Sequence, residues 1–102
     1  MHSRMTNDVS EQELAKMSAF LKVMSDGTRL KILAELMRGT LCVTHISDKV
    51  GMSQSATSHQ LAVLREADLV RMTKKGKTAV YSISDEHVRL IFDMVRLHIA
   101  EE

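Results

Sequence analysis

Residues 43–67 read VTHISDKVGMSQSATSHQLAVLREA. The apolar residues recur at helical spacing on both sides of a glycine, which predicts two short helices joined by a tight turn. The pattern consists of Val43, Ile46 and Val50, then Gly51, then Leu61 and Leu64. Ser53 can cap the second helix, which is expected to run to about Ala67. Two helices joined in this way form a helix-turn-helix, whose second helix enters the major groove of DNA.

A basic hairpin is expected directly after these helices. Residues 69–73 and 78–83 are rich in β-branched side chains, which favours two strands. Lys74, Lys75, Gly76 and Lys77 lie between them and suit a hairpin turn. A helix-turn-helix followed by such a hairpin is a winged helix.

Three further helices surround this unit. Ser10, with Glu13 three residues on, predicts the start of a first amphipathic helix. Its apolar face would consist of Leu14, Met17, Leu21 and Met24. Ser25 and Asp26 can cap a second helix, which Gly39 is expected to end in the left-handed conformation. A last helix is expected over about residues 85–100. The predicted fold class is mainly α with a small β-hairpin, a winged helix-turn-helix of order α-α-α-α-β-β-α.

The composition is that of one soluble globular domain. The chain has 102 residues, of which 44% are hydrophobic and 26% charged, enough for a single core. Aromatic residues make up only 3%, so the core should be aliphatic. Residues 1–9 are expected to form a flexible arm, and residues 10–102 the domain. No apolar stretch approaches the roughly 20 residues that cross a bilayer, and the single cysteine cannot form an intrachain disulfide. A cytoplasmic protein without membrane contact is therefore expected.

Polar residues of the second helix of the pair are candidates for DNA contact. They are Gln54, Ser55, Ser58, His59 and Arg65, and Lys74, Lys75 and Lys77 of the hairpin join them as candidate phosphate contacts. A glutamine can form two hydrogen bonds with adenine. On an isolated helix these residues would indicate only a solvated face, and lysines at a hairpin tip also maintain solubility. The combination of short helix, glycine turn, cap and basic wing favours binding to double-stranded DNA.

The same stretches match a known family over nearly the whole chain. The likeness is carried by residues 26–33, 41–43, 53–64 and 76–81, and the third stretch is the most specific. Through them the chain resembles the ArsR/SmtB family of metal-responsive winged-helix repressors. Gly27 stands where that family often has proline, which affects only a helix start. The resemblance implies a homodimer that binds a pseudopalindromic operator and represses without inducer, so residues 10–102 would serve both DNA binding and dimerisation.

Four residues of the last helix can bind a metal ion: Asp85, His87, His98 and Glu101. His87 and His98 are eleven positions apart, so they share a helix face but lie roughly 16 Å apart along the axis. One zinc ion cannot span that distance, because its bonds to nitrogen are about 2 Å long. Two such helices packed antiparallel across a two-fold axis would bring Asp85 and His87 beside His98 and Glu101 of the partner subunit. Symmetry would then give two equivalent sites per dimer.

Two imidazoles and two carboxylates suit zinc or cobalt better than thiophilic ions. Spacing alone leaves a plainer interpretation open, in which Asp85 is a helix N-cap and His98 with Glu101 a surface pair. The pattern resembles, position by position, the C-terminal-helix site of the family's zinc-sensing branch. That resemblance implies that zinc, or cobalt, acts as an allosteric effector and releases the operator.

Cys42 and His45 form a second candidate metal or redox site. They lie three residues apart and match part of the family's other metal site, which also needs ligands from the N-terminal arm. His2 is the one suitable donor there, and no cysteine precedes Cys42. A buried cysteine that packs as a small hydrophobic residue is the plainer alternative. A regulator that senses oxidants through Cys42 is the main rival interpretation within DNA binding.

Two other classes of protein fit less well. An enzyme with a zinc-bound water is conceivable, but the sequence has no glycine-rich phosphate loop and no nucleophile motif. A pure dimerisation module would not need the basic wing. The sequence therefore predicts a regulator and not an enzyme.

Overall fold

The computed structural model describes residues 8–101. Five helices and three strands follow in the order α1 Glu11–Met24, α2 Gly27–Met37, β1 Leu41–Cys42, α3 Val43–Val50, α4 Gln54–Glu66, β2 Val70–Lys75, β3 Thr78–Ile83 and α5 Glu86–Ala100. The helix-turn-helix formed by α3 and α4 and the hairpin formed by β2 and β3 make this a winged helix-turn-helix, as the sequence predicted. The predicted arm, residues 1–9, lies almost entirely outside the described residues.

Short polar side chains set the starts of four helices. The side-chain oxygens of Ser10, Asp26, Ser53 and Asp85 each accept the backbone N–H three residues on, at 3.0–3.2 Å. These bonds satisfy N–H groups that have no partner inside a helix. Asp26, not Ser25, caps α2, since Ser25 closes α1 by donating its N–H to the Leu21 carbonyl. The predicted helix starts are therefore confirmed.

The two glycines expected to end helices behave differently. Gly51 ends α3 in the left-handed conformation, with φ 73° and ψ 40°. The same expectation was wrong for Gly39. There α2 closes through Arg38 in the right-handed conformation, with i to i+3 bonds that tighten the last turn, and Gly39 has φ 154°. Because these tighter bonds already satisfy carbonyls of the last turn, no residue in the left-handed conformation is needed to close the helix.

The sheet has one more strand than the sequence indicated. Leu41 and Cys42 form β1, which pairs antiparallel with Tyr81 and Val80 of β3, so the strand order is β1-β3-β2. The expectation of a hairpin alone was wrong on this point. Two residues are too few to show alternation, and only the pairing with β3 makes them a strand.

The hairpin is tighter than predicted. β2 runs to Lys75, which pairs with Thr78, so the turn consists of Gly76 and Lys77 alone. Placing Lys74 and Lys75 in the turn was therefore wrong. Exposed lysines suit the outer end of a strand as well as a turn, and the register of the pairing decides between the two.

An aliphatic core joins all the larger elements. Its buried hydrophobic residues are Met24, Ile32, Leu33, Leu36, Ile46, Leu61, Leu64, Leu69, Val70, Ile83 and Val88. The aromatic residues Phe20, Tyr81 and Phe92 are only partly buried against it. The expectation of an aliphatic core is confirmed.

The apolar face predicted for α1 is mostly uncovered in the single chain. Met24 is buried, but Leu14, Met17 and Leu21 are each about half exposed, at 49%, 48% and 51%. α5 has a similar exposed set, namely Leu90, Met94, Val95, Leu97 and Ile99. Within residues 8–101, no helix combines the length and apolar character needed to span a membrane.

Leu33→Ala tests the core. Leu33 has no exposed surface, so its truncation should lower the free energy of unfolding by about 2–5 kcal/mol through lost burial and a new cavity. Lys31→Ala, an exposed change on the same helix, should stay within about 0.5 kcal/mol. Denaturant unfolding at one fixed protein concentration measures the free energy of unfolding of both variants. Equal losses in the two variants would contradict the placement of Leu33 in the core.

Candidate nucleic-acid interface and metal half-sites

A tight turn fixes the angle between α3 and α4. The N–H groups of Gly51 and Met52 both donate to the Ser47 carbonyl, at 2.9 and 3.1 Å. The Ser47 side chain is itself buried, and its hydroxyl donates to the Val43 carbonyl at 2.7 Å. Because these bonds satisfy the end of α3 and Ser53 caps the start of α4, the two helices are joined without a flexible loop.

One face of α4 is buried and the other is open to solvent. Thr57, Leu61 and Leu64 have no exposed surface, and the Thr57 hydroxyl donates to the Ser53 carbonyl at 2.8 Å. The predicted DNA-contacting residues, Gln54, Ser55, Ser58, His59 and Arg65, are all exposed. Short polar side chains on an exposed first turn have room to approach base edges and phosphates, which the prediction of DNA contact requires.

Arg29 holds α4 against the rest of the molecule. From α2 its Nε donates to Gln60 Oε1 on α4 at 2.8 Å, and its Nη1 donates to the Val23 carbonyl near the end of α1 at 3.3 Å. One guanidinium therefore ties three helices together with charge-assisted hydrogen bonds. Sequence reasoning missed this role, because residues 29 and 60 are 31 positions apart and nothing in their spacing indicates a contact.

The wing presents its cations at the far end of the hairpin. Lys74, Lys75 and Lys77 are exposed, as is Arg71 further down β2. α4 packs against β2, so the hairpin and this helix are in direct contact. Exposed lysines in this position can contact phosphates on either side of a groove.

Asp85 and His87 are brought together at the start of α5. Asp85 Oδ1 accepts the Val88 N–H at 3.2 Å and lies 3.5 Å from His87 Nδ1. The Asp85 side chain is 42% exposed and that of His87 86%, so both can be reached from solvent. The N-cap role of Asp85 is therefore present, together with a histidine beside the same carboxylate.

The other two predicted ligands lie at the opposite end of α5. His98 is exposed in the last turn, and Glu101 is the C-cap, whose N–H donates to the His98 carbonyl. Within residues 8–101 no three His, Cys, Asp or Glu side chains are grouped closely enough to hold a metal ion. The predicted ligands thus form two candidate half-sites, one at each end of the helix.

Cys42 and His45 lie at the junction of β1 and α3. Cys42 is half-buried and occupies the N-cap position of α3 without a side-chain capping bond, while His45 is exposed. No third donor completes a group with them among the described residues. His2, the arm residue considered as a further ligand, lies outside the described residues.

An apolar groove lies between three of the helices. It has a volume of about 430 Å³ and is bounded by α1, α2 and α5. Leu21, Leu30, Phe92 and Ile99 are among its lining residues. Leu21, Val95 and Ile99 belong both to this groove and to the exposed apolar residues of α1 and α5.

The family model described as bacterial regulatory protein, arsR family, matches residues 26–72. The HTH-type transcriptional regulator NmtR of Mycobacterium tuberculosis is 38% identical over 96 residues, which cover 94% of this chain and 80% of NmtR. The chain belongs to the ArsR family. Members of the family are transcriptional regulators, so this ArsR-family protein is a regulator and not an enzyme, as the sequence predicted.

Solved structures agree with this assignment. The homodimeric winged helix-turn-helix DNA-binding domain Mb0332 of Mycobacterium bovis, described as a possible ArsR-family regulator, is 28% identical with a TM-score of 0.84. The alignment covers 95% of this chain and 92% of that one. The antimony-specific transcriptional repressor AntR is 31% identical with a TM-score of 0.81, over 99% of this chain and 93% of its own.

Replacing Lys74, Lys75 and Lys77 together with alanine tests the wing. Affinity should fall alike for all DNA sequences, and the slope of log Kd against log salt should become shallower by roughly 0.9 for each phosphate that is no longer neutralised. The matched control removes three exposed lysines of α1 and α2, Lys16, Lys22 and Lys31. Fluorescence anisotropy over a salt series measures both. If the wing variant and the control variant gave identical slopes, the wing would not contact phosphates.

Gln54→Ala tests base reading by α4. Removing a two-bond interaction with a base should weaken binding to the preferred duplex by about 1–3 kcal/mol and leave binding to random duplexes nearly unchanged. Gln12→Ala, an exposed glutamine on α1, is the control. Equal effects on preferred and random DNA would show that Gln54 does not read a base.

Proposed function

We propose that this protein is a zinc-responsive transcriptional repressor that binds a pseudopalindromic operator as a homodimer and leaves it when zinc, or cobalt, binds between the subunits. The observation that carries the proposal is the pair of half-sites on α5. Asp85 and His87 stand together at one end, His98 and Glu101 at the other, and residues 8–101 offer neither pair a further donor.

The length of α5 makes the two half-sites depend on a second subunit. The helix spans fifteen residues, so its ends are roughly 22 Å apart at 1.5 Å per residue. Zinc bonds to nitrogen and oxygen are about 2 Å long, so one ion cannot reach both ends. Two copies of α5 in antiparallel contact would bring each half-site to its complement, which gives two equivalent sites per dimer.

The uncovered apolar faces support such a dimer. Between the half-sites, Leu90, Met94 and Leu97 are each more than half exposed, and α1 adds the apolar side chains described above. A soluble monomer rarely exposes a contiguous surface of this kind, which is typical of an interface. The related Mb0332 domain is a homodimer. Two reading helices related by two-fold symmetry would require an operator with two similar half-sites.

The donor set supports zinc or cobalt. Two imidazole nitrogens and two carboxylates per site contain no thiolate, so thiophilic ions are disfavoured. Zinc held by Asp85 and His87 of one subunit and His98 and Glu101 of the other would have protein ligands alone and would act as an effector, not as a catalytic centre. A metal that binds the released geometry better than the DNA-bound geometry must weaken operator affinity, with coupling of typically about 1–3 kcal/mol.

A zinc titration of operator affinity tests the proposal. The operator is a duplex selected from a random library by the metal-free protein. Zinc should raise Kd for that duplex by about 5- to 150-fold in the parent. His98→Ala removes one ligand from each site and should abolish most of this rise, while its metal-free affinity stays close to that of the parent. Anisotropy with and without added zinc measures both.

The controls separate the two candidate metal sites. Cys42→Ser and His45→Ala should keep the full zinc response if α5 holds the effector. A response lost in these variants and kept in His98→Ala would assign the effector to the other site, and peroxide-sensitive binding lost in Cys42→Ser would favour the redox alternative. A protein that is monomeric at micromolar concentration, or whose affinity zinc leaves unchanged, would overturn the proposal.

A further inference from the structure

Arg29 is anchored where α1 ends and α2 begins. Its N–H donates to the carboxylate of Asp26, the N-cap of α2, at 3.1 Å. Its Nη1 donates to the Val23 carbonyl at 3.3 Å. That carbonyl lies in the last turn of α1, where carbonyls lack partners inside the helix and the helix dipole favours a cation. Both the backbone and the side chain of Arg29 are therefore held in place on one side of the molecule.

The same guanidinium reaches α4 on the other side. Arg29 Nε donates to Gln60 Oε1 at 2.8 Å, and both residues are half-buried. Hydrogen bonds from a charged donor are stronger than those between neutral groups. The two donor atoms belong to one rigid, planar group. The position of the Gln60 amide is therefore fixed relative to the end of α1.

Gln60 lies on the flank of α4. At about 100° per residue, the buried residues Thr57, Leu61 and Leu64 fall within a sector of roughly 60°, and Gln60 lies roughly 40° outside it. The apolar contacts of the buried face are non-directional, whereas a hydrogen bond weakens steeply when its atoms lose alignment. The bond from Arg29 thus adds a directional restraint on the rotation of α4 about its own axis.

That rotation matters for the residues expected to contact bases. Ser55, Ser58 and His59 are exposed on the side of α4 away from the core. A helix with its side chains has a radius of about 5–6 Å, so a rotation of about 10° moves their tips by about 1 Å. Binding groups must be held within about 0.5 Å of their productive positions. A small rotation of α4 would therefore disturb hydrogen bonds to base edges.

We infer that Arg29 is a positioning residue for base reading. By holding Gln60 it fixes the rotation of α4, and through that rotation it sets how well the protein distinguishes one DNA sequence from another. This role requires no contact between Arg29 and DNA. The inference rests on the part of the proposed function in which α4 reads the operator, and it does not involve zinc.

Arg29→Lys tests the inference on the metal-free homodimer, with a chelator present. Lysine keeps the charge but replaces the planar fork with one compact ammonium group. The specificity ratio, which is Kd for random duplexes divided by Kd for the selected duplex, should fall by about 5-fold or more, the smallest loss expected when a two-bond base contact is disturbed. Kd for random duplexes and its salt dependence should stay as in the parent, because no charge is removed. Fluorescence anisotropy measures all three quantities.

Arg38→Lys is the matched control for the arginine. Arg38 is the C-cap of the same helix, and its side chain is 77% exposed. This variant makes the same chemical change without touching the bond to α4. It should keep the parent specificity ratio, and an equal fall in both lysine variants would overturn the inference.

Gln60 supplies the other half of the test. Gln60→Ala removes the acceptor and should lower the specificity ratio about as much as Arg29→Lys. The double variant should lower it no further, because both substitutions break the same bond. Gln60→Glu keeps an oxygen acceptor and should keep the parent ratio, even if its added charge weakens binding to all duplexes alike. A loss in the double variant equal to the product of the two single losses would overturn the inference.

A purely structural role for Arg29 gives a different result. A substitution that only reduced the folded fraction would weaken binding to selected and random duplexes by the same factor. The specificity ratio would then be unchanged, which would overturn the inference. Should Arg29→Lys fail to fold, the Gln60 variants, in which Arg29 is intact, decide the question.

Comparison with Gln54→Ala separates this inference from the proposed function. If Gln54→Ala lowers the specificity ratio but Arg29→Lys and Gln60→Ala do not, α4 reads the operator and the role of Arg29 is overturned. If all three variants keep the parent ratio, base reading by α4 fails and the inference fails with it. A zinc response that is absent from the parent would overturn the proposed effector and leave the role of Arg29 standing.

Discussion

The buried face of α4 is the constraint on which the other features depend. Thr57, Leu61 and Leu64 have no exposed surface, so the helix cannot roll about its axis without opening cavities in a close-packed core. That restriction decides which side chains face outward, and they are the short polar residues around Ser55 and Ser58. The Ser53 cap and the Gly51 turn fix the start of α4. Beyond its end, the Ser84 hydroxyl holds Asp68 through a hydrogen bond to the Asp68 carbonyl.

α5 differs from α4 in its burial, because most of its surface is exposed in the single chain. Val88 is buried in the core, whereas the residues from Leu90 to Ile99 are largely exposed. Polar donors occupy both ends of the helix and apolar side chains the part between them. In the proposed dimer a second subunit would cover the apolar part and complete each half-site, so dimerisation and metal binding would use the same surface.

A domain with one small core brings these two helices close to each other. α4 and α5 are joined through the β2–β3 hairpin, with Asp68 and Ser84 at the two points where the hairpin meets the helices. The two points are joined directly, because the Ser84 hydroxyl donates to the Asp68 carbonyl at 2.7 Å.

Several contacts were beyond prediction from the sequence. Helix starts follow from single capping residues, and inward faces follow from apolar residues at helical spacing, so Ser53, Leu61 and Leu64 were placed correctly. The strand at Leu41 and Cys42, the position of Lys75 inside β2 and the Arg29–Gln60 bond were not, because each depends on a partner far away in the chain. The exposure of Leu14 and Met17 was also missed, since periodicity shows which residues share a face but not what covers it.

The helix-turn-helix, the basic wing and the aliphatic core follow from the amino-acid sequence alone, because these are properties of neighbouring residues. The choice of Asp85, His87, His98 and Glu101 as candidate metal ligands also came from the sequence. Tertiary structure alone decided that Asp85 lies beside His87 and that Ser84 reaches Asp68. It also decided that, within residues 8–101, no three His, Cys, Asp or Glu side chains lie close enough together to hold a metal ion. The physical reason is that hydrogen bonds and metal sites act over about 2–3.5 Å, a range that packing sets and residue spacing does not.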